Sequence, residues 1–320
     1  MAVYTQLDDD ELRGFVRQYD IGRITECKGI AEGVENSNYM IGTTRGRYIL
    51  TLYEKRVARE DLPFFLGLLD HLAARNVPCP TPVHGKDGKA LRGLAGRPAA
   101  LVSFLEGVSV MRPHVRHCAQ LGEALAAMHL AGRGFAIERA NALSLAGWRK
   151  LFGETRRRAD KVEAGLKDEI ARELDHVARR WPKDLPWGVI HADLFPDNVF
   201  FLNDKLSWLF DFYFACDDFL AYDVAVCLNA WCFEPDSAFN ATKARALLSA
   251  YRKKRKFEQD ELDALPLLAR GAALRFLLTR LYDWLHPAPG AFVKPKNPLE
   301  YLRKLRFHRG IDGPGAYGLA

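Results

Sequence analysis

Residues 187–214, WGVIHADLFPDNVFFLNDKLSWLFDFYF, constrain the fold of this chain more than any other stretch. A short apolar run leads into a polar loop, and two further apolar runs then read as a strand pair that ends at an acidic residue. The loop carries His191, Asp193 and Asn198 in the order H-x-D-x-x-x-x-N, and Asp211 follows the last apolar run. This order predicts a hairpin that brings four polar side chains together.

These four side chains suit phosphoryl transfer. That reaction needs a group that accepts the proton of the attacking hydroxyl, and it needs oxygen ligands for Mg²⁺. Asp193 is therefore predicted to be the base, Asn198 and Asp211 to bind the metal ion, and His191 to position the loop through hydrogen bonds. The alternative is a hairpin whose Asp and Asn residues only cap turns. Turn chemistry alone seldom gives four polar positions in this order between apolar strands.

The pattern HADLFPDNVFF followed by LFDF resembles the aminoglycoside phosphotransferase and choline kinase superfamily. His191-Ala-Asp193 stands where protein kinases have His-Arg-Asp, and Asp211-Phe-Tyr213 stands where they have Asp-Phe-Gly. The resemblance implies a two-lobed α+β fold like that of the protein kinases, with a small antiparallel-sheet N-lobe at 1–105 and a mainly helical C-lobe at 106–320. It also implies that ATP and Mg²⁺ bind between the lobes.

The N-lobe pattern begins with acidic residues ahead of a short amphipathic helix, followed by three strand-like runs. A glycine-rich loop at 29–38 joins the first two strands, and we expect it to cover the ATP phosphates because glycine allows close backbone approach. A plain hairpin turn is the alternative. The nucleotide-binding candidates of this loop are Gly33, Asn36, Ser37 and Asn38.

The stretch 99–107 resembles the connection between the two lobes in this superfamily. The resemblance implies that the adenine of ATP forms hydrogen bonds with backbone groups near Ser103 and Leu105. An edge strand that ends at Gly107 is the alternative reading of the same residues.

The third strand departs from the superfamily pattern. Kinases place there a Lys that holds the phosphates and pairs with a helix Glu, whereas this chain has Thr51. Lys55 has the same side-chain parity but lies roughly 13 Å further along the strand, and Lys28 is another candidate, so the cation is left unassigned. Glu60 and Asp61 open the next helix and read as favourable acids of its first turn.

The second half of the chain reads as mainly helical, with a partly loop-like tail at 287–320. His129 is expected to be a satisfied core or capping histidine. The superfamily resemblance implies that Asp223 supports the catalytic loop. Asp217 and Asp218 read as a solvated acidic turn, with the binding of a substrate amine as the alternative. The predicted helices and amphipathic stretches lie at 115–130, 149–180, 238–251 and 259–285.

Arg275 and Arg280 lie within a very apolar part of the last predicted helix. Burying an unpaired guanidinium is costly, so each needs an anionic partner. That partner is either a protein side chain such as Asp283 or the carboxylate of a substrate, which suits the guanidinium fork. Both arginines are therefore candidate substrate-binding residues.

Three stretches are most similar to the homoserine kinases of this superfamily, namely GVENSNY at 33–39, ILTLYE at 49–54 and LRFLLTRLYD at 274–283. This resemblance implies that ATP phosphorylates the side-chain hydroxyl of L-homoserine, giving O-phospho-L-homoserine on the way to threonine. Two other readings stay open. One is a kinase of choline, an aminoglycoside or another hydroxylated amine, and the other is a non-catalytic nucleotide-binding scaffold, suggested by the missing strand Lys.

Composition and charge limit the kinds of binding partner and the cellular location that are expected for this chain. A net charge of +6 fits a nucleotide ligand, but the basic clusters at 156–158 and 253–256 lack the interleaved aromatics of a nucleic-acid patch, so no nucleic-acid partner is expected. The N-terminus has no signal-peptide core, no apolar run reaches membrane-spanning length, and the six cysteines lack zinc-ligand spacing. A cytoplasmic enzyme without a membrane partner is expected, and its oligomeric state is left unpredicted.

Overall fold

The computed structural model describes residues 5–30, 36–54, 58–287 and 295–319, so the candidates Gly33 and Lys55 lie outside the described residues. The described ranges form a two-lobed α+β fold, with an antiparallel sheet in the N-lobe and mostly helices in the C-lobe. In these ranges, no helix has the length and apolar character needed to cross a membrane.

The N-lobe contains one antiparallel sheet and two helices. A helix precedes the sheet and begins after Asp8, whose carboxylate accepts hydrogen bonds from the N–H groups of Asp10 and Glu11 and so caps the first turn. The elements are α1 (Asp9–Val16), β1 (Ile24–Gly29), β2 (Ser37–Thr43), β3 (Gly46–Leu52), α2 (Leu62–Ala73), β4 (Arg92–Leu94) and β5 (Arg97–Ser103). The five strands pair in the order β1-β2-β3-β5-β4.

The two faces of this sheet have different partners. Because neighbouring strand residues point to opposite faces, Tyr39 and Ile41 of β2 pack with Leu12 and Phe15 of α1 in a core of their own. The opposite face, which includes the cross-strand pair Asn38 and Thr51, is turned toward the C-lobe. Only the second face can therefore contact a ligand bound between the lobes.

In the described part of the C-lobe, helices surround one two-stranded and one three-stranded sheet. The amphipathic stretch predicted at 149–180 is two helices rather than one, and Gly165 adopts a left-handed φ of +78° where the second begins. The elements are β6 (Val108–Ser109), α3 (Val115–Ala131), α4 (Leu145–Thr155), α5 (Leu166–Arg180), β7 (Trp187–Ile190), β8 (Val199–Leu202), β9 (Lys205–Leu209), β10 (Cys216–Phe219), α6 (Leu220–Trp231), α7 (Ala241–Lys254), α8 (Gln259–Leu285) and α9 (Pro298–Arg309).

The tail was predicted to be partly loop-like, and the sequence did not indicate that it contains the helix α9. Asn297 caps this helix by accepting a hydrogen bond from the N–H of Leu299 at 2.9 Å. The helix buries Tyr301, Leu302 and Leu305 against α8, so it is part of the C-lobe core. Basic residues at other positions of the helix obscured this apolar stripe in the sequence.

His308 of α9 makes the stability of the fold sensitive to acid. Burial and, to a smaller extent, the nearby Lys304 charge together lower the pKa of His308 to about 3. In the unfolded chain the imidazole of His308 binds a proton below about pH 6.5, whereas in the folded protein it stays neutral down to about pH 3. The free energy of unfolding therefore decreases as the pH falls from about 6.5 to about 3. By pH 5 the loss from this one group is about 2 kcal/mol.

We expect His308→Gln to reduce the difference in unfolding free energy between pH 7 and pH 5 by about 2 kcal/mol relative to the unsubstituted protein. Urea unfolding at the two pH values measures this difference, and the comparison tolerates a constant loss of stability in the variant. Equal acid sensitivity of the two proteins would contradict the expectation.

Candidate active site

The strand pairs of the C-lobe bring the predicted polar residues together. β7 pairs with β10, β8 pairs with β9, and the loop 191–198 lies between β7 and β8. The N–H of Phe210 donates to the carbonyl oxygen of Asn198 at 3.1 Å, so Asp211 lies next to Asn198. Ala192 and Asp211 both have left-handed φ values, +61° and +63°. Such backbone is unfavourable outside glycine and is typical of functional loops.

Asp223, at the start of α6, anchors the loop. Its carboxylate is fully buried and accepts hydrogen bonds from the N–H of His191 at 2.7 Å and of Ala192 at 2.9 Å. Burial alone would raise the pKa of Asp223, but its hydrogen bond to His129 and the nearby histidines outweigh burial and lower that pKa. The predicted structural role of Asp223 is confirmed by these bonds.

His129 supports Asp223 from α3. Its Nε2 lies 3.1 Å from a carboxylate oxygen of Asp223, and its Nδ1 lies 2.8 Å from the hydroxyl of Tyr251. Both ring nitrogens are thus engaged inside the core, which confirms the prediction of a satisfied core histidine.

His191 is completely buried within the loop that it was predicted to position. Its Nε2 donates to the carbonyl oxygen of Phe210 at 3.0 Å, and its Nδ1 accepts from the N–H of Asp193 at 3.3 Å. Burial lowers the pKa of His191. A neutral ring is what this arrangement requires, because one nitrogen donates while the other accepts.

Asp193 lies between an amide and a guanidinium. Asn198 Nδ2 donates to the Asp193 carbonyl oxygen at 2.8 Å and to its carboxylate at 3.4 Å. Arg275 Nη2 lies 3.8 Å from the other carboxylate oxygen, and Nη1 donates to the carbonyl oxygen of Ala192. Arg275 is only 2% exposed. Asp193 is therefore the anionic protein partner that a buried arginine at this position needs.

Arg280 also has a protein partner. It forms an ion pair with Glu300 of α9 at 2.6 Å, and its guanidinium lies 4.4 Å above the centre of the Tyr301 ring. The binding of a substrate by Arg280 stays a prediction.

The polar residues predicted to bind nucleotide lie on both faces of the sheet. Asn36 accepts from the N–H of Glu54 at 3.3 Å, and the Ser37 hydroxyl donates to the Glu54 carboxylate at 2.8 Å, so both side chains hold the segment after β3. Asn38 accepts from the Thr51 hydroxyl at 2.8 Å on the face toward the C-lobe. Ser37 and Asn38 belong to β2, so the predicted loop is shorter than expected.

Thr51 of β3 is the residue predicted to stand in place of the strand Lys of kinases. Next to it, the ring of Tyr213 packs edge-on against Tyr53, which directly follows β3, with 5.9 Å between the ring centres, and burial raises the pKa of Tyr213 well above its usual range. Tyr213 follows Asp211 by two residues, so this contact ties β3 to the segment that carries Asp211. The other cation candidate, Lys28, pairs with Glu26 at 2.6 Å and is mostly exposed.

The segment between the lobes borders a cavity of about 410 Å³. The N–H of Ser103 donates to the carbonyl oxygen of Thr81 at 2.9 Å, whereas the N–H of Leu105 makes no backbone hydrogen bond within the described ranges. Trp208 Nε1 donates to the Glu106 carbonyl oxygen at 3.1 Å and fixes the segment to β9. Of the two predicted positions, Leu105 therefore has the N–H available for a ligand.

A second cavity, of about 370 Å³, lies beside Arg275. Sequence reasoning missed its polar lining, because it overlooked Arg139 and Asn141 and read Asp61 as an acid of the first helical turn. Arg139 lies 78 residues from its partner Asp61, so no local pattern could have paired them. The polar or aromatic residues of the lining include Asp61, Phe65, Arg139, Asn141, Tyr213 and Arg275.

Asp217 and Asp218 form the support of this cavity, and the prediction of a solvated turn is wrong. Asp217 accepts from the N–H of Arg139 at 2.8 Å, and Asp218 accepts from Asn141 Nδ2 at 2.6 Å. Both belong to β10, and burial raises the pKa of each carboxyl.

The described residues contain no group of three or more acidic, histidine or cysteine side chains that could hold a metal ion by themselves. Mg²⁺ in kinases is bound through one or two protein oxygens together with phosphate oxygens and waters. Asn198 and Asp211 fit that requirement, because the amide nitrogen of Asn198 donates to Asp193 and its amide oxygen accepts no hydrogen bond from the residues that the structure describes.

Comparisons with known proteins agree with this geometry. A sequence model of the phosphotransferase enzyme family matches residues 26–257. The chain is 65% identical over 320 residues to the homoserine kinase of Rhodospirillum rubrum, and 63% identical over 325 residues to that of Paramagnetospirillum magneticum. Both matches cover 100% of this chain and 100% of the relative.

Among solved structures, the fold is similar to that of the amicoumacin kinase hAmiN in complex with AMP-PNP, Ca²⁺ and Ami. The TM-score is 0.64 at 16% identity, with 95% of this chain and 93% of the other covered, so this similarity concerns the fold alone. Because the family model matches most of the chain and the relatives match all of it, the chain belongs to the phosphotransferase enzyme family and, within that family, to the homoserine kinases.

Proposed function

We propose that this protein transfers the γ-phosphoryl group of ATP to the side-chain hydroxyl of L-homoserine, giving ADP and O-phospho-L-homoserine, a step toward threonine. The observation that carries the proposal is the identity of 63% and 65% with two homoserine kinases over their full length. The arrangement of Asp193, Asn198 and Asp211 around one loop supports the same chemistry.

In this reaction Asp193 accepts the proton of the homoserine hydroxyl as its oxygen attacks the γ-phosphorus and ADP leaves. The hydrogen bonds from Asn198 hold the Asp193 backbone and carboxylate in one orientation. Arg275 limits the rotation of the same carboxylate from the other side and lines the cavity beside it. His191 positions the loop through its hydrogen bonds to Phe210 and Asp193, and it does not itself exchange a proton with the substrate.

Asn198 and Asp211 would hold Mg²⁺ in the ATP complex. When bound, this ion neutralises charge on the phosphate oxygens. The backbone hydrogen bond from the N–H of Phe210 to the carbonyl oxygen of Asn198 keeps the two candidate ligands adjacent.

The nucleotide lies between the lobes in this proposal, with the adenine against the backbone of Leu105. We divide the lobes after residue 105, where the chain is fixed to the C-lobe. Gly107 adopts a φ of +147°, and a Cβ at this position would lie 2.8 Å from Ser207 Oγ and 2.9 Å from Phe200 Cβ. Only glycine permits so close an approach.

An ADP-release assay with Mg·ATP tests the proposal on a panel of homoserine, homoserine methyl ester, serine, choline, ethanolamine and kanamycin. We expect turnover of homoserine, a much lower kcat/KM for the ester, and loss of turnover when EDTA removes the metal. Turnover of choline or kanamycin in place of homoserine would keep the phosphoryl-transfer chemistry and overturn the substrate. ATP binding without turnover of any alcohol would overturn the kinase.

A further inference from the structure

Arg139 is held rigidly at the wall of the 370 Å³ cavity. Its Nε donates to Asp61 at 2.8 Å, its Nη1 donates to the carbonyl oxygen of Ala215 at 2.9 Å, and its guanidinium lies 4.9 Å from the centre of the Phe65 ring. Its Nη2 makes no hydrogen bond to any residue that the structure describes. A fixed guanidinium whose Nη2 group is unused can bind an anion at little entropic cost.

Asp61 is the complement of this arginine. Its Oδ2 accepts from Arg139, while its Oδ1 has no hydrogen bond within the described part of the chain. The side chains of Asp61 and Arg139 are 32% and 20% exposed, so both reach the cavity. The pair therefore offers one donor and one acceptor side by side, which matches the carboxylate and the ammonium group on the α-carbon of an amino acid.

The wall that carries Arg139 is tied to the catalytic loop. Asp217 and Asp218 of β10 hold residues 139 and 141. β10 pairs with β7, and β7 leads directly into the loop of Asp193. The distance between the Arg139–Asp61 pair and the base is thus set by strand pairing, as a site that positions a small substrate requires.

The other arginine of the cavity is less suited to the substrate carboxylate. Arg275 donates to the carbonyl oxygen of Ala192 and lies 3.8 Å from the Asp193 carboxylate. A substrate carboxylate at Arg275 would lie close to the negative charge of Asp193, and the hydroxyl at the other end of the molecule would then point away from the base. Arg275 therefore lies at the end of the cavity that would hold the hydroxyl group of the substrate.

From this arrangement we infer that the Arg139–Asp61 pair binds the α-carboxylate and α-ammonium groups of the substrate, Arg139 the first and Asp61 the second, and so selects an amino acid over other alcohols. The inference rests on the proposed homoserine kinase activity and adds the residues that select the substrate. Neither residue takes part in the transfer of the phosphoryl group.

The test compares substrates that lack one of the two groups. We expect Arg139→Gln to lower kcat/KM for homoserine by about 10- to 100-fold, as for a lost charged hydrogen bond, chiefly through KM. The same substitution should change kcat/KM for homoserine methyl ester by less than about 3-fold, because the ester has no carboxylate charge to lose. Asp61→Asn should give the mirrored result, with a large loss for homoserine and little loss for 4-hydroxybutyrate, which has no amine.

Arg270→Gln is the matched control. Arg270 of α8 pairs with Glu173 at 2.6 Å, and its side chain is 12% exposed. It does not line the cavity, so its substitution removes a comparable ion pair at another place in the fold. We expect this variant to keep the kinetic constants of the unsubstituted protein for homoserine, ester and ATP. The KM for ATP should also be unchanged in the Arg139 and Asp61 variants.

Equal losses for homoserine and its ester in Arg139→Gln would overturn the inference, because a merely structural arginine would affect both substrates alike. That outcome leaves the homoserine kinase proposal intact. If the unsubstituted protein instead fails to phosphorylate homoserine, the proposed function and this inference fall together, so the two failures are distinguishable.

Discussion

Asp193→Asn is expected to lower kcat for homoserine by about 100- to 10,000-fold, the range for the loss of a general base. The amide has almost the shape of the carboxylate but cannot accept the hydroxyl proton. The KM for ATP should change little, because the proposed metal ligands, Asn198 and Asp211, are untouched. Steady-state kinetics with homoserine and ATP varied independently measure both effects.

The fold should tolerate this substitution. The bond from Asn198 to the Asp193 carbonyl oxygen does not depend on the side chain and remains. Arg275 loses its nearby negative charge, yet it keeps its bond to the carbonyl oxygen of Ala192 and its position 4.2 Å above the ring of Phe276. A loss of about 3 kcal/mol of unfolding free energy is expected, at the low end for breaking a buried pair, because the buried guanidinium loses an anion that lies 3.8 Å away but keeps its other contacts.

Asp197→Asn is the control for Asp193→Asn. Asp197 lies in the same loop, is 50% exposed, and pairs with Lys296 at 3.3 Å. Its substitution removes an equal charge a few residues away, and kcat should stay within about 3-fold because exposed ion pairs contribute little. If both variants lose activity equally, the loss results from removing a negative charge from the loop, and Asp193 is not the base.

The sequence was sufficient to predict the catalytic hairpin because the hairpin is local. Asp193, Asn198 and Asp211 lie within 19 positions of one another, and alternating apolar runs specify the strands that join them. The sheet of the N-lobe, the helices α3 and α8, and the support by Asp223 followed from the same pattern and its resemblance to a known superfamily.

Contacts between distant segments could not be predicted in this way. The pairing of Arg139 with Asp61, and the support of residue 141 by Asp218, join segments more than 70 residues apart through side chains alone. An acidic pair such as Asp217 and Asp218 looks exposed in a sequence, and only the packing of β10 against residues 139–141 buries Asp218 and half-buries Asp217. Burial by a tertiary neighbour leaves no periodic signal.

Asp223→Asn is expected to lower both stability and kcat. The carboxylate accepts from two backbone N–H groups of the catalytic loop, His191 and Ala192. An amide has only one acceptor oxygen, so one of these buried donors would lose its partner and face an N–H₂ group. An unsatisfied buried donor costs about 1–3 kcal/mol, and the broken pair with His129 adds to the loss.

Urea unfolding should therefore show a loss of about 2–4 kcal/mol for Asp223→Asn. The comparison variant is Glu173→Gln, which also alters a buried carboxylate. Glu173 pairs with Arg270 at 2.6 Å and with Arg309 at 2.9 Å, and these contacts lie outside the His129–Asp223 network. Its loss of stability should be similar, whereas kcat of the folded protein should be unchanged.

Comparing Asp223→Asn with Glu173→Gln shows whether a loss of kcat comes from a changed loop geometry or only from a lower stability of the fold. Ala192 has a left-handed φ, which is unfavourable for alanine, and the bond from its N–H to Asp223 helps to hold it there. Without that bond the loop can relax, and a displacement of Asp193 by about 1 Å is enough to lower the rate about 100-fold. A normal kcat in a destabilised Asp223→Asn protein would show that the loop holds its geometry without this carboxylate.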